Sequence, residues 1–453
     1  MTVVKTLEVH SRGRSEQRLW GCRIDSPVVG ERTKTYALGI AGWALGRTLP
    51  VTGVEIVSEN TVLRRVPLDV PRPDIAAAFS EVPDAERSGF QTTIGLLDGT
   101  QHFEYQVRAV LRNDSRIVVG TIRGQRESLR SGFRPTLQPL MVTSLGRTGT
   151  TWLMRLLSEH PGIVVHRHYP YELRTARYWM HMLRVLSEPA NHYQSANFEN
   201  FQASRWFIGH NPFYSPPLTD NPDLGYWFGR TYVEQLATFC QRSIEDCYQL
   251  SAASQHQPEP VYFAEKHVPD RTPWLTWELY PEAREVILVR DFRDVVCSML
   301  AYNSKRGYLA FGREDVSSDV EFVEKVRKSA LSLLRSYKQR SSQVYLVRYE
   351  DLILHPTDSL ESLFEYLQLD SAESTVESLV RRASEESSDM RQHWTSSEPH
   401  KSIGRWRRDL APSVRATCQE TFAEILEDFG YTEDFGVPSG PVGQKHNGVK
   451  EDT

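Results

Sequence analysis

Cysteine is scarce in this chain, and its placement excludes several designs. Cys22, Cys240, Cys247, Cys297 and Cys418 are odd in number and scattered, with no Cys-x-x-Cys pair. That spacing argues against a disulfide framework or a zinc ribbon, and it leaves reduced, mostly buried thiols as the expectation. Nor does a cluster of acidic ligands argue for a metal. No apolar run approaches the ~20 residues of a membrane span. No leader-like apolar core follows Met1, so a cytoplasmic location is expected. With a net charge of −5, the chain lacks the cationic excess that would suggest a nucleic-acid partner. Internal repeats are also missing. A Gly-Lys-Ser/Thr triplet, which would close an ATP-type loop and offer a hydroxyl to magnesium, does not occur where a phosphate loop otherwise stands.

What is present divides by pattern. Between residues 8 and 125, short strand-like runs recur. They include Thr35–Ile40, Val54–Val57, Phe103–Val107 and Arg116–Val119, with turn residues such as Asp98-Gly99 and Asn113-Asp114 between them. Such spacing predicts an antiparallel β-sandwich over residues 1–130. Trp20 and Trp43 read as core tryptophans, with sugar stacking as the alternative if they are exposed. A linker follows at Ser131–Pro135. From residue 136 to 433, strands alternate with helical stretches, which predicts a parallel sheet flanked by helices. The fold expected is therefore α/β, preceded by the small antiparallel domain. Arg205-Trp206-Phe207 and Gly225–Phe228 read either as an acceptor cleft or as core. Residues 434–453 are Gly-, Pro- and Lys-rich and read as a disordered tail.

Leu140–Trp152 reads as a buried strand, a glycine loop and a helix start. Gly146, Arg147, Thr148, Gly149, Thr150 and Thr151 form the loop, and Trp152 follows. Backbone N–H groups and the positive end of a helix suit an anion there. Arg147 is the only cation in the loop, and its planar fork suits oxyanions. A second apolar run, Val286–Val289, leads into Arg290, with Ser298 eight positions later. Further on stand Tyr349-Glu350-Asp351-Leu352 after another strand, and Ser402-Ile403-Gly404-Arg405-Trp406.

These four motifs, in this order, resemble those of sulfotransferases that use 3′-phosphoadenosine-5′-phosphosulfate (PAPS). The resemblance covers residues 139 to 410 and implies a P-loop-like α/β domain. Thr148 stands where the family usually has Ser. The resemblance implies that Arg147, with Thr150 and Thr151, holds the 5′-phosphate and the sulfuryl group. It places Trp152 and Tyr349 near adenine, and Arg290 with Ser298 at the 3′-phosphate. Gly404 and Arg405 belong to a loop that closes over the cofactor, for which His400 and Lys401 offer further cations. No metal is required. The N-terminal region resembles small sandwich modules fused to bacterial glycan-modifying enzymes, which implies a carbohydrate acceptor, with a lipid or small metabolite as alternatives.

Sulfuryl transfer needs a general base for the acceptor hydroxyl or amine. His267, in Glu265-Lys266-His267-Val268-Pro269, resembles the family histidine that is followed by Leu-Pro and precedes the 3′-phosphate arginine, here by 23 residues, although the family usually has Lys-x-His and Lys266 here adjoins His267. Other branches have Glu-Lys-Thr-Pro here, which would leave Lys266 beside the sulfuryl group and His267 incidental. Glu172, in Glu172-Leu173-Arg174, resembles the catalytic glutamate of protein-tyrosine sulfotransferases. His267 is the favoured base candidate, with Glu172 as its rival. A nucleotide kinase and a non-catalytic glycan-binding protein are the rival readings of the whole chain.

Overall fold

A computed structural model describes residues 2–11, 18–59, 61–97, 99–189, 221–257, 259–269, 272–341, 343–384, 395 and 398–431. Asp98, Arg205–Phe207 and residues 434–453, all singled out above, lie outside the described residues. The chain divides into two compact units. One comprises Met1–Arg134, Tyr178–Ser243 and Arg271–Pro281; the other comprises Pro135–Arg177, Ile244–Asp270 and Glu282–Thr453. Among the described residues, no helix is long and apolar enough to cross a membrane.

The first unit carries antiparallel strands: β1 Val4–Ser11, β2 Leu19–Ser26, β3 Arg32–Thr33, β4 Ala37–Gly46, β5 Val51–Ser58, β6 Thr61–Val66, β7 Gly89–Gly95, β8 His102–Leu111 and β9 Arg116–Arg126. Six of them form a sheet in the order β3-β1-β9-β8-β5-β6, and β2-β4-β7 form another. Period-2 patterning explains the burial. On β8, Tyr105, Val107, Ala109 and Leu111 are buried, while residues between them reach solvent. The β8–β9 hairpin turns at Asn113-Asp114. Asn113 Oδ1 accepts from the Ser115 amide at 3.2 Å, and Asp114 takes a left-handed φ of +62°. The tryptophans differ from the core reading. Trp20 is 37% exposed, with the Arg47 guanidinium 4.8 Å above its ring, and Trp43 is half-buried against Phe79. In Gly225–Phe228, Phe228 is buried while Tyr226 and Trp227 are exposed.

The second unit is built on β10 Gln138–Ser144, β11 Ile163–Val165, β12 Tyr262–His267, β13 Arg284–Val289 and β14 Val344–Arg348. All neighbours are parallel, in the order β11-β12-β10-β13-β14. β10 is buried along its whole length, as a central strand covered on both faces must be. Its apolar side chains share a core with Leu153, Leu156 and Leu157 of the helix Thr150–Ser158 and with Val286 and Leu288 of β13. From β10 the chain first builds outward to β11 and β12, then crosses to β13 and β14. The order therefore reverses at β10, and the crevice at the carboxyl ends of β10 and β13 is where a ligand fits.

Candidate active site

A cavity of about 780 Å³ opens at those carboxyl ends, lined by residues of the second unit alone. The loop after β10 supplies Gly146, Arg147, Gly149, Thr150, Thr151 and Trp152. β12 supplies Lys266 and His267, β13 ends at Arg290, and β14 ends at Tyr349. Ser298 reaches the cavity from the helix Phe292–Arg306, and Glu172 from the segment before the helix Thr175–Ser187. Thr148, Gly404 and Arg405 are not among the lining residues.

The loop geometry follows from its residue types. Gly149 has φ +93°, and a Cβ there would meet Tyr349 Cδ2 at 2.3 Å. Only glycine permits both the backbone and the approach. Thr148 is fully buried, and its hydroxyl donates to the Leu145 carbonyl at 2.9 Å, which closes the turn. Thr150 Oγ1 lies 2.8 Å from Ser144 Oγ. The helix Thr150–Ser158 begins with no side-chain cap, which leaves its first N–H groups for another acceptor.

Two guanidiniums converge beside that helix start. Arg147 Nε donates to Ser298 Oγ at 3.3 Å, and its guanidinium carbon sits 4.9 Å over the Tyr302 ring. Burial lowers the Arg147 pKa from its ordinary value, and the charge of Arg290 lowers it further. Arg290 donates to the carbonyls of Arg147 at 3.2 Å and Ser402 at 2.6 Å and stacks 4.5 Å over the Tyr349 ring. Its Nε is buried and makes no hydrogen bond. A buried charged donor without an acceptor is costly, and an incoming anion would satisfy it. Trp152 Nε1 is likewise buried and unpartnered. Tyr349 contributes its ring, and its hydroxyl lies 3.0 Å from Ser402 Oγ.

The remaining sequence motifs frame these groups. Glu350 accepts from the Asp291 amide at 3.0 Å and from the Tyr431 hydroxyl at 2.7 Å, so it fixes the turn that follows Arg290. The Gly404 and Trp406 amides donate to Asp294 at 2.6 and 2.9 Å. Arg405 donates to the carbonyl and hydroxyl oxygens of Thr395, both at 3.0 Å, and Thr395 Oγ1 lies 3.3 Å from Ser298 Oγ. Lys401 and His400 pair with Glu398.

The two candidate bases are placed differently. Adjacent residues of a strand face opposite ways, and β12 ends in Lys266 and His267. Lys266 Nζ donates to Thr151 Oγ1 at 3.0 Å, to the Pro170 carbonyl, and to Glu172 Oε1 at 3.4 Å. Burial lowers the Lys266 pKa to about 8, against the pull of Glu172. Glu172 is half-exposed and also pairs with Arg174 at 3.8 Å. His267 has a side-chain exposure of 0%, its Nε2 lies 3.6 Å from Glu265 Oε2, and neither ring nitrogen makes a hydrogen bond.

Sequence reasoning passed over Tyr302, Tyr169 and Thr395, which line the cavity, and Asp294, which holds the Gly404–Trp406 loop. A signal existed for two of them. Asp294, Ser298 and Tyr302 stand four residues apart on one helix and so share a face. Tyr169 and Thr395 carry no comparable spacing.

A family model described as the sulfotransferase family matches residues 139–373. Comparison with curated proteins gives no match. Among solved structures, the sulfotransferase domain from the curacin biosynthetic pathway is 15% identical, with a TM-score of 0.36 over 64% of this chain and 98% of that one. Mouse sulfotransferase SULT7A1 complexed with PAP is 14% identical, with a TM-score of 0.35 over 64% and 85%. A sulfotransferase from Alicyclobacillus acidocaldarius is 14% identical, with a TM-score of 0.35 over 67% and 98%.

Proposed function

The chain belongs to the sulfotransferase family, and from that premise we propose that it moves the sulfuryl group of PAPS to an acceptor hydroxyl or amine, with Glu172 as the base. The observation that carries the proposal is the unsatisfied buried Nε of Arg290, beside Arg147 and an uncapped helix start. Two phosphate groups on one nucleotide need two separate cationic cradles, and Arg147 and Arg290 supply them from the ends of neighbouring strands. When bound, PAPS supplies the sulfuryl group and a phosphate that leaves with negative charge.

The chain's own residues divide the remaining work. Arg147, Thr150, Thr151 and the loop amides hold the 5′ end. Arg290 and Ser298, with the nearby Thr395, hold the 3′-phosphate. Trp152 and Tyr349 flank the adenine. Gly404 and Arg405 act from behind this layer, and Asp294 holds their loop through two amide hydrogen bonds. Glu172 takes the acceptor proton, because a base must come within hydrogen-bond reach of the acceptor and its half-exposed carboxylate allows that. Lys266 pairs with this carboxylate at 3.4 Å and faces the phosphate loop through Thr151. The His267 ring offers no exposed nitrogen, so its role is structural.

The acceptor proposed is a carbohydrate, on the resemblance of the N-terminal module and the partial exposure of Trp20. A reducing location such as the cytoplasm suits five cysteines that no disulfide joins. The test is sulfuryl transfer from labelled PAPS to a panel of sugars and phenols by wild type, Glu172→Gln and His267→Ala. Loss of a general base costs on the order of 10²- to 10⁴-fold in kcat. That loss is expected for Glu172→Gln alone, with PAP affinity retained. The opposite pattern, with His267→Ala inactive and Glu172→Gln active, would reassign the base.

A further inference from the structure

Glu172 is half-exposed, and its carboxylate lies 3.4 Å from Lys266 Nζ and 3.8 Å from Arg174. Neither contact is short enough to fix a carboxylate by itself. Its position is therefore set by the backbone that carries it, the segment from Pro170 to Ala176. β12 holds both ends of that segment. Lys266, on one face of the strand, donates to the Pro170 carbonyl. Glu265, on the opposite face, is 1% exposed and accepts from the Ala176 amide through both oxygens, at 2.9 and 3.1 Å.

Ala176 lies in the first turn of the helix Thr175–Ser187, where N–H groups lack intrahelical acceptors. A carboxylate there meets both the free amides and the positive helix end. Glu265 is itself held. Tyr248 donates its hydroxyl to Oε1 at 3.0 Å, and the Tyr248 ring stacks on Phe263 of β12 at 4.0 Å. The buried His267 ring lies 3.6 Å away on the same face. Two consecutive strand residues thus grip the segment from opposite sides of the strand end.

We propose that Glu265 is a positioning residue for the reaction: by anchoring Ala176 it holds Glu172 against Lys266 and the phosphate loop. The assignment rests on the reading of Glu172 as base. It separates two roles that lie side by side in the sequence. Lys266 touches the reacting region, whereas Glu265 acts only through the backbone it holds.

The experiment compares full-length wild type with Glu265→Ala, Glu265→Gln, Glu172→Gln and the double variant Glu172→Gln/Glu265→Ala. Amide hydrogen exchange over residues 170–176 reads the anchor directly, PAP calorimetry reads the cofactor side, and PAPS turnover with 2-naphthol as probe acceptor reads the chemistry. Expected for Glu265→Ala are faster exchange confined to that segment, PAP affinity within about twofold of wild type, and kcat lowered on the order of 10-fold or more with an unchanged KM for PAPS. Glu265→Gln keeps one acceptor oxygen and restores part of the loss. In the Glu172→Gln background, Glu265→Ala costs nothing further, because the group it positions is already gone. If Glu265→Ala does not fold, Glu265→Gln and Tyr248→Phe carry the same comparison. Unchanged exchange at 170–176, or an equal loss in both backgrounds, overturns the positioning role. Failure of wild type to bind PAP or to turn over PAPS, or full activity in Glu172→Gln, overturns the functional reading beneath it instead.

Discussion

At the scale of single residues, the site depends on close approach. Gly149 combines a left-handed φ of +93° with a Tyr349 ring carbon 2.3 Å from where a Cβ would stand. Gly149→Ala should therefore destabilise the protein by about 1–3 kcal/mol through backbone strain alone, with the ring clash added. Thermal unfolding checks this, and a melting temperature equal to wild type would contradict the loop geometry. The same scale shows where sequence reading runs out. Arg147, Arg290 and Tyr349 were legible because each ends or follows a strand, so local pattern places them at the crevice. The sequence favours His267 over Glu172 as base, but where the two side chains stand was not legible. β12 alternates its side chains, and a shift of one residue exchanges the faces of Lys266 and His267. Nothing in Glu265-Lys266-His267 states which face meets the phosphate loop; the contacts of Lys266 with Thr151 and Glu172 do.

At the scale of elements, one helix braces much of the cavity beside Arg147 and Arg290. Phe292–Arg306 begins with Asp291 accepting from the Arg293 amide, and the acid-capped end faces the turn from Arg290. Along its face, Asp294 holds the Gly404–Trp406 loop, Ser298 meets Arg147, and Tyr302 lies under the Arg147 guanidinium. The spacing of eight between Arg290 and Ser298 was legible in the sequence, and four-residue spacing puts Asp294 and Tyr302 on the same face as Ser298, but their roles were not legible. Those roles require partners more than a hundred residues away in the chain. Strands fared in the same way. β10 and β13 are readable as apolar runs, but β13 also buries Glu285, which Arg340 at 2.7 Å and Thr143 at 2.5 Å compensate. Only tertiary structure supplies those partners.

At the scale of the whole molecule, buried acids should shape stability against pH. Burial pushes the Glu350 carboxyl up to about 7, although the Asp291 amide and Tyr431 hydroxyl pull it down. The unfolded value is about 4.3. Between these values the folded state holds a proton that the unfolded state has released, so stability falls as pH rises through that window. Burial also raises Asp294, to about 6, which acts in the same direction. Lys266 acts oppositely and elsewhere. Its folded value of about 8 lies below the unfolded ~10.4, so its contribution is present above the unfolded value and lost as pH falls through 8. Denaturant midpoints should decline from pH 5 to 7.5 in wild type and decline less in Glu350→Gln. Equal slopes in the two proteins would contradict a protonated Glu350.

The most direct test of the account is calorimetric titration of the purified full chain with PAP, with ADP and with ATP–magnesium, repeated for Arg290→Ala. The account predicts that PAP binds more tightly than ADP, because ADP lacks the 3′-phosphate. Arg290→Ala should remove most of that difference, on the order of 10- to 100-fold for a charged hydrogen bond of about 1.5–3 kcal/mol. Tighter binding of ATP–magnesium than of PAP, or a PAP affinity that Arg290→Ala leaves unchanged, would contradict it.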